Sequence, residues 1–249
     1  MPTAEFSSDA RQSARLTKGE QTRAAILDTA LDLAARDGLE GLTIGLIAER
    51  MQMSKSGVFA HFGSREDLQI ATLREYHRRF DAEVFTPALR KPRGLPRLEA
   101  MFANWVEHVR SVEIPHGCIY VSGAVEFDDR PGPVRDTLVD MVHAWQNALK
   151  RAIAIAVEEG HLRTDTDAAQ LVFEIYAIML GLHHEARLMR ARGSVARART
   201  AFARLIDAYR LDDAPPARAG RGAASEASST ARDRKSTRLN SSHTDISRM

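Results

Sequence analysis

Four helix-start signals follow one another between residues 17 and 64, and their spacing constrains the fold more than any other feature of the sequence. Thr17 and Ser64 open T-x-x-E and S-x-x-D patterns, in which a hydroxyl and a carboxylate bind the free N–H groups of a first helical turn. Thr43 and Ser54 each stand before a short stretch with apolar residues at helical spacing. The sequence therefore predicts three compact helices, followed by a longer one that runs towards Pro87.

The rest of the chain is also predicted to be helical, with one ambiguous segment. Residues 86–97 contain three prolines and one glycine and predict a linker. The stretch GCIYVSGAVEF (117–127) has the β-branched run of a strand, but no neighbouring segment resembles a pairing partner. Elsewhere, apolar residues recur at helical spacing over residues 98–109, 134–157, 168–188 and 195–209.

The predicted helix from about residue 165 to 192 is apolar on two faces. A helix of this kind must be covered on two sides, which is typical of a subunit interface in a helix bundle. The alternative is that both stripes are buried within one monomer. The first stripe is Ala168, Leu171, Val172, Ile175, Met179, Leu182 and Ala186, and the second is Phe173, Ala177, Leu180, His184 and Leu188.

The overall charge gives no general indication of nucleic acid binding. The net charge is +2, and the first 80 residues contain eleven Lys/Arg and eleven Asp/Glu. No apolar run approaches the roughly 20 residues of a membrane-spanning helix, and the N-terminus lacks the apolar stretch of a secretion signal. We therefore expect a cytoplasmic protein with no membrane contact, in which any contact with DNA depends on the local placement of charge.

The sequence contains no recognisable catalytic or metal-binding set. Cys118 is the only cysteine, so no internal disulfide forms. The pairs His116 with Cys118 and His183 with His184 supply two ligands each, which is too few for a metal site. Because no phosphate loop and no paired nucleophile and base are recognisable either, we predict no metal, no cofactor and no enzymatic activity.

The tight connection between the second and third helices is typical of a helix-turn-helix DNA reader. In such a unit the first helix of the pair braces the second, which lies in the major groove. Here Thr43 to about Arg50 is the predicted bracing helix, and Ser54 to about Phe62 the reading helix. Between residues 54 and 65 there are two cations and no acid. On the reading helix Val58 and Phe62 are expected to turn inward, while Lys55, Ser56, Gly57, Ala60 and His61 face outward.

These motifs together resemble the DNA-binding domain of the tetracycline-repressor (TetR) family of bacterial regulators. The resemblance runs from about Thr22 to Leu73 and rests on T-R-x-x-I-L-D-T-A-L-D-L-A-A-R-D-G, L-T-I-G-L-I-A-E and S-K-S-G-V-F-A-H-F-G-S-R-E-D-L. The sequence departs from the family at Phe59, where tyrosine is common, and at Gln52, where a turn glycine is common. Carried over by position, the DNA-facing or phosphate-facing residues are Thr43, Ser54, Lys55, Ser56, Gly57, Phe59 and His61.

The resemblance implies an all-α homodimer that binds a double-stranded operator through its N-terminal domains. The C-terminal domains of the family dimerise through their last two helices and enclose an effector pocket, and in some members the segment like 117–127 is helical. The expected organisation is a mobile arm (1–16), a helix-turn-helix domain (17–64), a connecting helix (65–85), a linker (86–97), a C-terminal regulatory and dimerisation domain (98–211) and a disordered linker (212–232).

Ring, methionine, imidazole and carboxyl side chains of the C-terminal domain are the candidates for the effector pocket. Rings and methionine supply contact area, while imidazole and hydroxyl groups orient a ligand. Glu126 is expected to select a cationic effector, unless it is exposed or paired. The predicted set is Trp105, His108, Tyr120, Glu126, Phe127, Met141, Trp145, Tyr176, His183 and His184.

The function expected from these features is a ligand-responsive repressor, released from a palindromic operator by an unknown small molecule. Two alternatives remain at this point. One is a dimeric DNA-binding regulator without a small-molecule effector, and the other is a helical-bundle enzyme.

The last segment of the chain resembles translated adapter sequence. Residues 233–243 read DRKSTRLNSSH, and one choice of codons for them looks like a common sequencing-library adapter. We therefore interpret 233–249 as adapter read-through in place of the natural C-terminus. The alternative is an ordinary disordered tail rich in serine and arginine.

Overall fold

Every regular element that the computed structural model describes, over residues 17–211, is a helix. The only β-type contact among these residues is one isolated bridge, between Leu162 and Arg210. The all-α prediction is confirmed, and within segment 117–127 the residues Ile119–Phe127 are helical, as the resemblance implied. The predicted arm (1–16), disordered linker (212–232) and adapter segment (233–249) lie outside the described residues.

Three helices form the N-terminal part, and each begins at a predicted hydroxyl cap. The side chains of Thr17, Thr43 and Ser54 accept hydrogen bonds from backbone N–H groups in the first turns. Each cap satisfies a donor that a helix start otherwise leaves free. The helices pack around Ile26, Ala30, Ile47, Val58 and Leu68, which are all buried. They are α1 (Lys18–Asp37), α2 (Ile44–Arg50) and α3 (Lys55–Phe62).

The connecting helix is longer than predicted, and the predicted linker over 86–97 is shorter. Helix α4 (Arg65–Phe80) continues through a π-helical turn (Asp81–Phe85) into α5 (Thr86–Ala88). Pro87 and Pro96 occupy the first turns of α5 and the next helix. At these positions the missing N–H of proline has no helical partner to lose. Only residues 89–94 therefore separate the two helical segments.

The C-terminal part packs its helices around a second core. Leu98, Trp105, Leu149 and Ile175 are buried there, and the rings of Phe102 and Phe202 stack at 3.8 Å. Two π-helical turns, Val109–Glu113 and His184–Leu188, extend α6 and α10. The helices are α6 (Leu95–His108), α7 (Ile114–His116), α8 (Ile119–Phe127), α9 (Pro133–Glu158), α10 (Ala168–His183) and α11 (Ser194–Tyr209).

Helix α4 contributes side chains to every buried cluster. Leu68 belongs to the N-terminal core, while Phe80 belongs to the C-terminal one. Between them, Leu73 and Tyr76 pack in a third cluster with residues of α1 and α9. One helix is therefore anchored in all three clusters.

The two apolar stripes of α10 have different surroundings. Leu171, Ile175, Met179 and Leu182 of the first stripe are buried. Phe173 is 68% exposed, Leu180 43% and Leu188 71% in the second. The alternative in which both stripes are buried within one monomer is therefore wrong. Helix α10 also begins later than predicted, because the Asp167 side chain accepts hydrogen bonds from two N–H groups and caps it there.

Candidate DNA-binding face and effector site

The reading helix α3 separates its side chains into an anchored face and a free face. Val58 is fully buried and Phe62 is 7% exposed, so these two hold the helix against α1 and α2. Lys55, Ser56 and Phe59 are exposed on the opposite side. Phe59 is unusual among them, because 54% of an aromatic ring faces solvent. A ring in this position offers apolar contact to whatever the helix binds.

The first turn of α3 is built around the hydroxyl of Ser54. Its Oγ accepts a hydrogen bond from the N–H of Gly57 at 3.0 Å and lies 3.1 Å from Ser56 Oγ. A Cβ on residue 57 would stand 3.1 Å from the same Oγ. Gly57 therefore leaves room for the cap. This is a local reason for a glycine inside a helix, where glycine is otherwise unfavourable.

Lys55 extends from the start of α3 towards α2. Its Cε would lie 3.4 Å from a Cβ on Gly45, so the stem of the lysine crosses α2 beside a residue without a side chain. Thr43 caps α2 through a 3.1 Å bond from the N–H of Leu46. His61 is half-buried, with its ring centroid 6.3 Å from that of Phe62.

Arg65 is less available to DNA than the sequence indicated. Its Nε donates to the carbonyl oxygen of Leu42 at 3.1 Å, and its guanidinium also donates to the carbonyl of Glu40. A salt bridge of 3.2 Å joins it to the Glu40 carboxylate. The positive charge between residues 54 and 65 therefore depends mainly on Lys55.

The turn between α2 and α3 adopts the left-handed conformation that favours glycine. Gln52 has φ of +54°. A side chain in this region approaches the following carbonyl oxygen and costs roughly 1 kcal/mol. The departure from the family pattern at this position therefore places a strained residue in the turn that fixes the angle between α2 and α3.

A small buried cavity lies between α4, α6, α8, α9 and α10. Its volume is about 30 Å³. The Phe80 ring stands nearly perpendicular to the rings of Tyr120 and Trp145, at centroid distances of 5.6 and 5.4 Å. Of the predicted pocket residues, the structure brings Trp105, Tyr120, Trp145, Tyr176 and His183 together around this space.

The other predicted pocket residues lie elsewhere. Met141 is part of the cluster between α1, α4 and α9. Glu126 accepts a hydrogen bond from the N–H of Glu40 at 2.8 Å, so its carboxylate joins α8 to the turn after α1. His184 is exposed beyond the end of α10, since the buried stripe of that helix ends before it. Phe127 lines a neighbouring groove instead of the cavity.

Glu113 is the most important cavity residue that sequence reasoning missed. Its carboxylate is fully buried. The Tyr76 hydroxyl donates to Oε1 at 2.7 Å, His183 Nε2 lies 2.8 Å from Oε2, and His108 Nε2 lies 3.4 Å from Oε1. Burial raises the pKa of the Glu113 carboxyl, but the two imidazoles lower it more, to about 2. Burial lowers the pKa of His108, while Glu113 and Glu83 raise it above its ordinary value.

Cys118 also lines the cavity. Its Sγ lies 3.6 Å from the hydroxyl oxygen of Tyr76. Burial raises the pKa of its thiol well above the ordinary value. The other lining residues that were not predicted are Phe80, Val121, Val142, Met179 and Leu180. Nothing local in the sequence distinguishes Glu113 or Cys118, because their partners come from α4, α6 and α10.

Two of the open grooves beside the C-terminal helices share lining residues with the buried cavity. One, of about 290 Å³, lies between α8 and α9 and shares Tyr120, Val142 and Tyr176 with the buried cavity. The other, of about 440 Å³, runs beside α4 and α9 and is lined by His77, Asp81 and Arg151 among others. Since Tyr120 and Tyr176 line both the cavity and the first groove, the two spaces are separated only by side chains.

Two family models match separate parts of this chain. Residues 26–72 match the model described as bacterial regulatory proteins, tetR family. Residues 94–202 match a tetracyclin repressor-like C-terminal domain. The chain belongs to the TetR family. Its N-terminal helix-turn-helix and its C-terminal bundle are therefore the two parts of a TetR-family transcriptional regulator.

Individual TetR-family relatives are distant in sequence but similar in fold. The transcriptional regulator SrpR of Pseudomonas putida is 22% identical over 168 residues, which cover 68% of this chain and 76% of SrpR. A regulator from Cytophaga hutchinsonii superposes with a TM-score of 0.69 at 19% identity, covering 80% of this chain and 100% of its own.

A further structure of similar fold was solved with a ligand. The regulator from Saccharomonospora viridis, in complex with choline, superposes with a TM-score of 0.63 at 22% identity. The superposition covers 76% of this chain and 96% of that one. These structural likenesses support the fold of this TetR-family chain. Within residues 17–211, no helix is both long and apolar enough to cross a membrane.

Proposed function

We propose that this TetR-family protein is a cytoplasmic repressor that binds a palindromic operator as a homodimer and is released by an effector. The observation that carries the proposal is the position of α4. Its first turns pack in the core of the helix-turn-helix, and its Tyr76 and His77 hydrogen-bond Glu113 and Tyr120. An effector that moves Glu113 or Tyr120 therefore acts directly on α4, which packs against the helix-turn-helix.

On the DNA side, α3 would lie in the major groove. Lys55 would donate to a phosphate or to guanine acceptors, and Ser56 to either. Phe59 and His61 would contact the groove or the backbone. Thr43 and Ser54 stand at helix starts, where free N–H groups attract phosphate, and Gly57 permits close approach. The exposed positions of Lys55, Ser56 and Phe59 support these assignments.

The exposed stripe of α10 supports the homodimer. Phe173, Leu180, Leu188 and Met189 are large apolar residues that are between 43% and 71% exposed. Exposed apolar side chains grouped on one face are typical of an interface. A second copy of the chain that packs its own α10 and α11 against this stripe would cover it, and the exposed stripe of the second copy would be covered in turn. A two-fold dimer then presents two reading helices to a palindromic site, about 34 Å apart.

The groove between α8 and α9 is the candidate entrance for an organic effector. Its volume of about 290 Å³ is at the lower end for ligand pockets, which span roughly 300–1,000 Å³. Movement of Tyr120 or Tyr176 would join it to the buried cavity. Such a ligand would favour one arrangement of α4 and lower operator affinity by population shift. The choline-bound relative indicates that a bundle of this fold accommodates a small molecule.

The size of the buried cavity favours a second candidate function. A space of about 30 Å³ holds about one water molecule and no organic compound. A dimeric DNA-binding regulator without an organic effector therefore fits a cavity of this size. The two candidates differ in whether any compound changes operator affinity.

The test begins with selection of binding sites from random duplex DNA by the purified chain. We expect an inverted repeat with half-sites about one helical turn apart, bound by two chains. A reporter gene behind the selected site should be repressed when the protein is present. Selection of a single half-site bound by one chain, or no enrichment of any sequence, contradicts the proposal. Activation of the reporter contradicts the repressor role only.

A further inference from the structure

We propose that Glu113, Cys118 and His183 form a buried site for a divalent transition-metal ion of the Zn²⁺ class. The three side chains come from the π-helical turn after α6, from the residue that precedes α8 and from the end of α10. One ligand atom from each lies within 4.8 Å of the other two. Cys118 and His183 each come from one of the two residue pairs that were too small for a metal site by themselves. Glu113 adds a carboxylate as the third ligand.

Buried polar atoms without hydrogen-bond partners indicate that this place suits a cation. Glu113 is fully buried, and His183 and Cys118 are 6% and 8% exposed. Glu113 Oε2 has no hydrogen-bond partner among the described residues, although His183 Nε2 is only 2.8 Å away, and His183 Nδ1 has none either. Buried polar groups are nearly always paired. A cation that binds Glu113 Oε2 would give this buried oxygen the partner that no hydrogen-bond donor of the described residues supplies, and His183 would bind the same cation through one ring nitrogen.

The donor set selects the class of ion. A thiolate, an imidazole and a carboxylate together suit Zn²⁺, whereas Mg²⁺ and Ca²⁺ prefer oxygen ligands throughout. A bound divalent ion would balance one carboxylate and one thiolate, so the buried site would carry no net charge. The thiol proton of Cys118 is released to solvent when the ion binds, and His183 binds as the neutral imidazole.

The surroundings fit an ion better than a larger ligand. The adjoining cavity of about 30 Å³ has room for one water as a fourth ligand. The Tyr76 hydroxyl donates to Glu113 Oε1 at 2.7 Å. His108 Nδ1 lies 2.7 Å from Glu83 Oε2 and faces Glu113 with its other nitrogen. Hydrogen bonds of this kind orient ligating carboxylates in metal sites.

Binding of the ion would also affect the DNA-binding face through α4. Tyr76 belongs to α4, and its partner is the same carboxylate that the ion would bind. Binding would redistribute the charge that Tyr76 contacts and so favour a different position of α4. This consequence rests on the proposed function, whereas binding of the ion does not.

The test uses the full chain, stripped of metal with a chelator and titrated with Zn²⁺ or Co²⁺ alone. We expect one Zn²⁺ per chain after gel filtration, and with Co²⁺ a near-ultraviolet absorption band from thiolate-to-metal charge transfer. Cys118→Ser should abolish the band and weaken Zn²⁺ binding at least about 10-fold, and His183→Gln should weaken it similarly. Thermal melting without metal checks that both variants fold.

The controls are His116→Gln and His184→Gln, which change exposed histidines next to the proposed ligands in sequence. Both should bind Zn²⁺ like the wild type. The inference is overturned if the wild-type chain shows no thiolate band with Co²⁺, or if Cys118→Ser retains full Zn²⁺ affinity. The wild-type spectrum decides the matter even if a variant fails to fold. Operator binding by the metal-free chain, measured separately, tests the proposed function alone.

Discussion

The Nδ1 atom of His77 on α4 lies 2.6 Å from the hydroxyl oxygen of Tyr120 on α8. The two rings meet at 65°, with their centroids 6.3 Å apart. Asp81 is one turn further along the helical segment, and Arg97 and Arg151 line the same groove as His77. Burial lowers the pKa of His77, and Asp81 offsets part of this effect. The contact therefore joins a titratable group of the connecting helix to the wall of the cavity.

This relationship predicts a pH dependence of stability. Because the pKa of His77 is lower in the folded chain than the roughly 6.5 of an unfolded one, the unfolded chain binds the proton first as the pH falls. The stabilisation is complete above about pH 6.5 and is lost as the pH falls through the folded pKa. Urea unfolding should show a steeper loss of free energy between about pH 7.5 and 5.5 for the wild type than for His77→Gln. Equal slopes for the two proteins contradict the prediction.

Lys55→Ala should weaken binding to the selected operator without unfolding the protein. If Lys55 contacts a phosphate, its loss removes one released counterion per chain, and the slope of log affinity against log salt decreases by about 1 per half-site. Lys91→Ala, which removes another exposed lysine after α5, is the matched control and should leave the slope unchanged. Fluorescence anisotropy over a salt series measures both. An unchanged slope in Lys55→Ala would exclude the contact.

Phe59→Tyr should tighten operator binding. The ring is 54% exposed on the reading helix, and an added hydroxyl would reach outward without disturbing the core. A new hydrogen bond to a phosphate is worth roughly 1.5–3 kcal/mol at most. The gain should be similar for specific and unrelated DNA, since phosphate contacts do not read sequence. Weaker binding confined to operators with thymine at one position would indicate instead that Phe59 contacts a thymine methyl group.

The local features of the fold were predictable from the sequence. Thr17, Thr43 and Ser54 cap the helices that were expected to follow them, because a cap depends on residues within one turn. The bounds of the linker were wrong, since Pro87 and Pro96 are compatible with the first turn of a helix. Proline content alone does not distinguish a linker from a helix start.

The cavity was predictable only in part, for a physical reason. Trp105 and Trp145 lie on apolar stripes of two helices, so helical periodicity directs them to a common interior. Glu113 is buried only because Tyr76, His108 and His183, which are distant from each other in sequence, surround its carboxylate. An isolated glutamate in a sequence carries no sign of such partners.

Gln52→Gly should stabilise the protein. The backbone at Gln52 has φ of +54°, and glycine removes the steric cost of that conformation. We expect the free energy of unfolding to rise by up to about 1 kcal/mol, reduced by the greater freedom of glycine in the unfolded chain. Glu49→Gly, at an exposed position within α2, is the control and should lower stability by about 1 kcal/mol. Destabilisation by both substitutions would show that the turn is not strained.

Phe173→Glu should convert the proposed dimer into monomers. The Phe173 ring is 68% exposed in the second apolar stripe of α10, and a charge there would be buried without a partner in a two-fold interface. The dissociation constant should rise at least about 100-fold, which corresponds to about 2.7 kcal/mol. Val125→Glu is the matched control, because Val125 is 74% exposed on α8, away from the stripe. Analytical ultracentrifugation should show monomers for the first variant and dimers for the second. If both remain dimeric, the copies associate through another surface; if Val125→Glu alone dissociates, that surface includes α8.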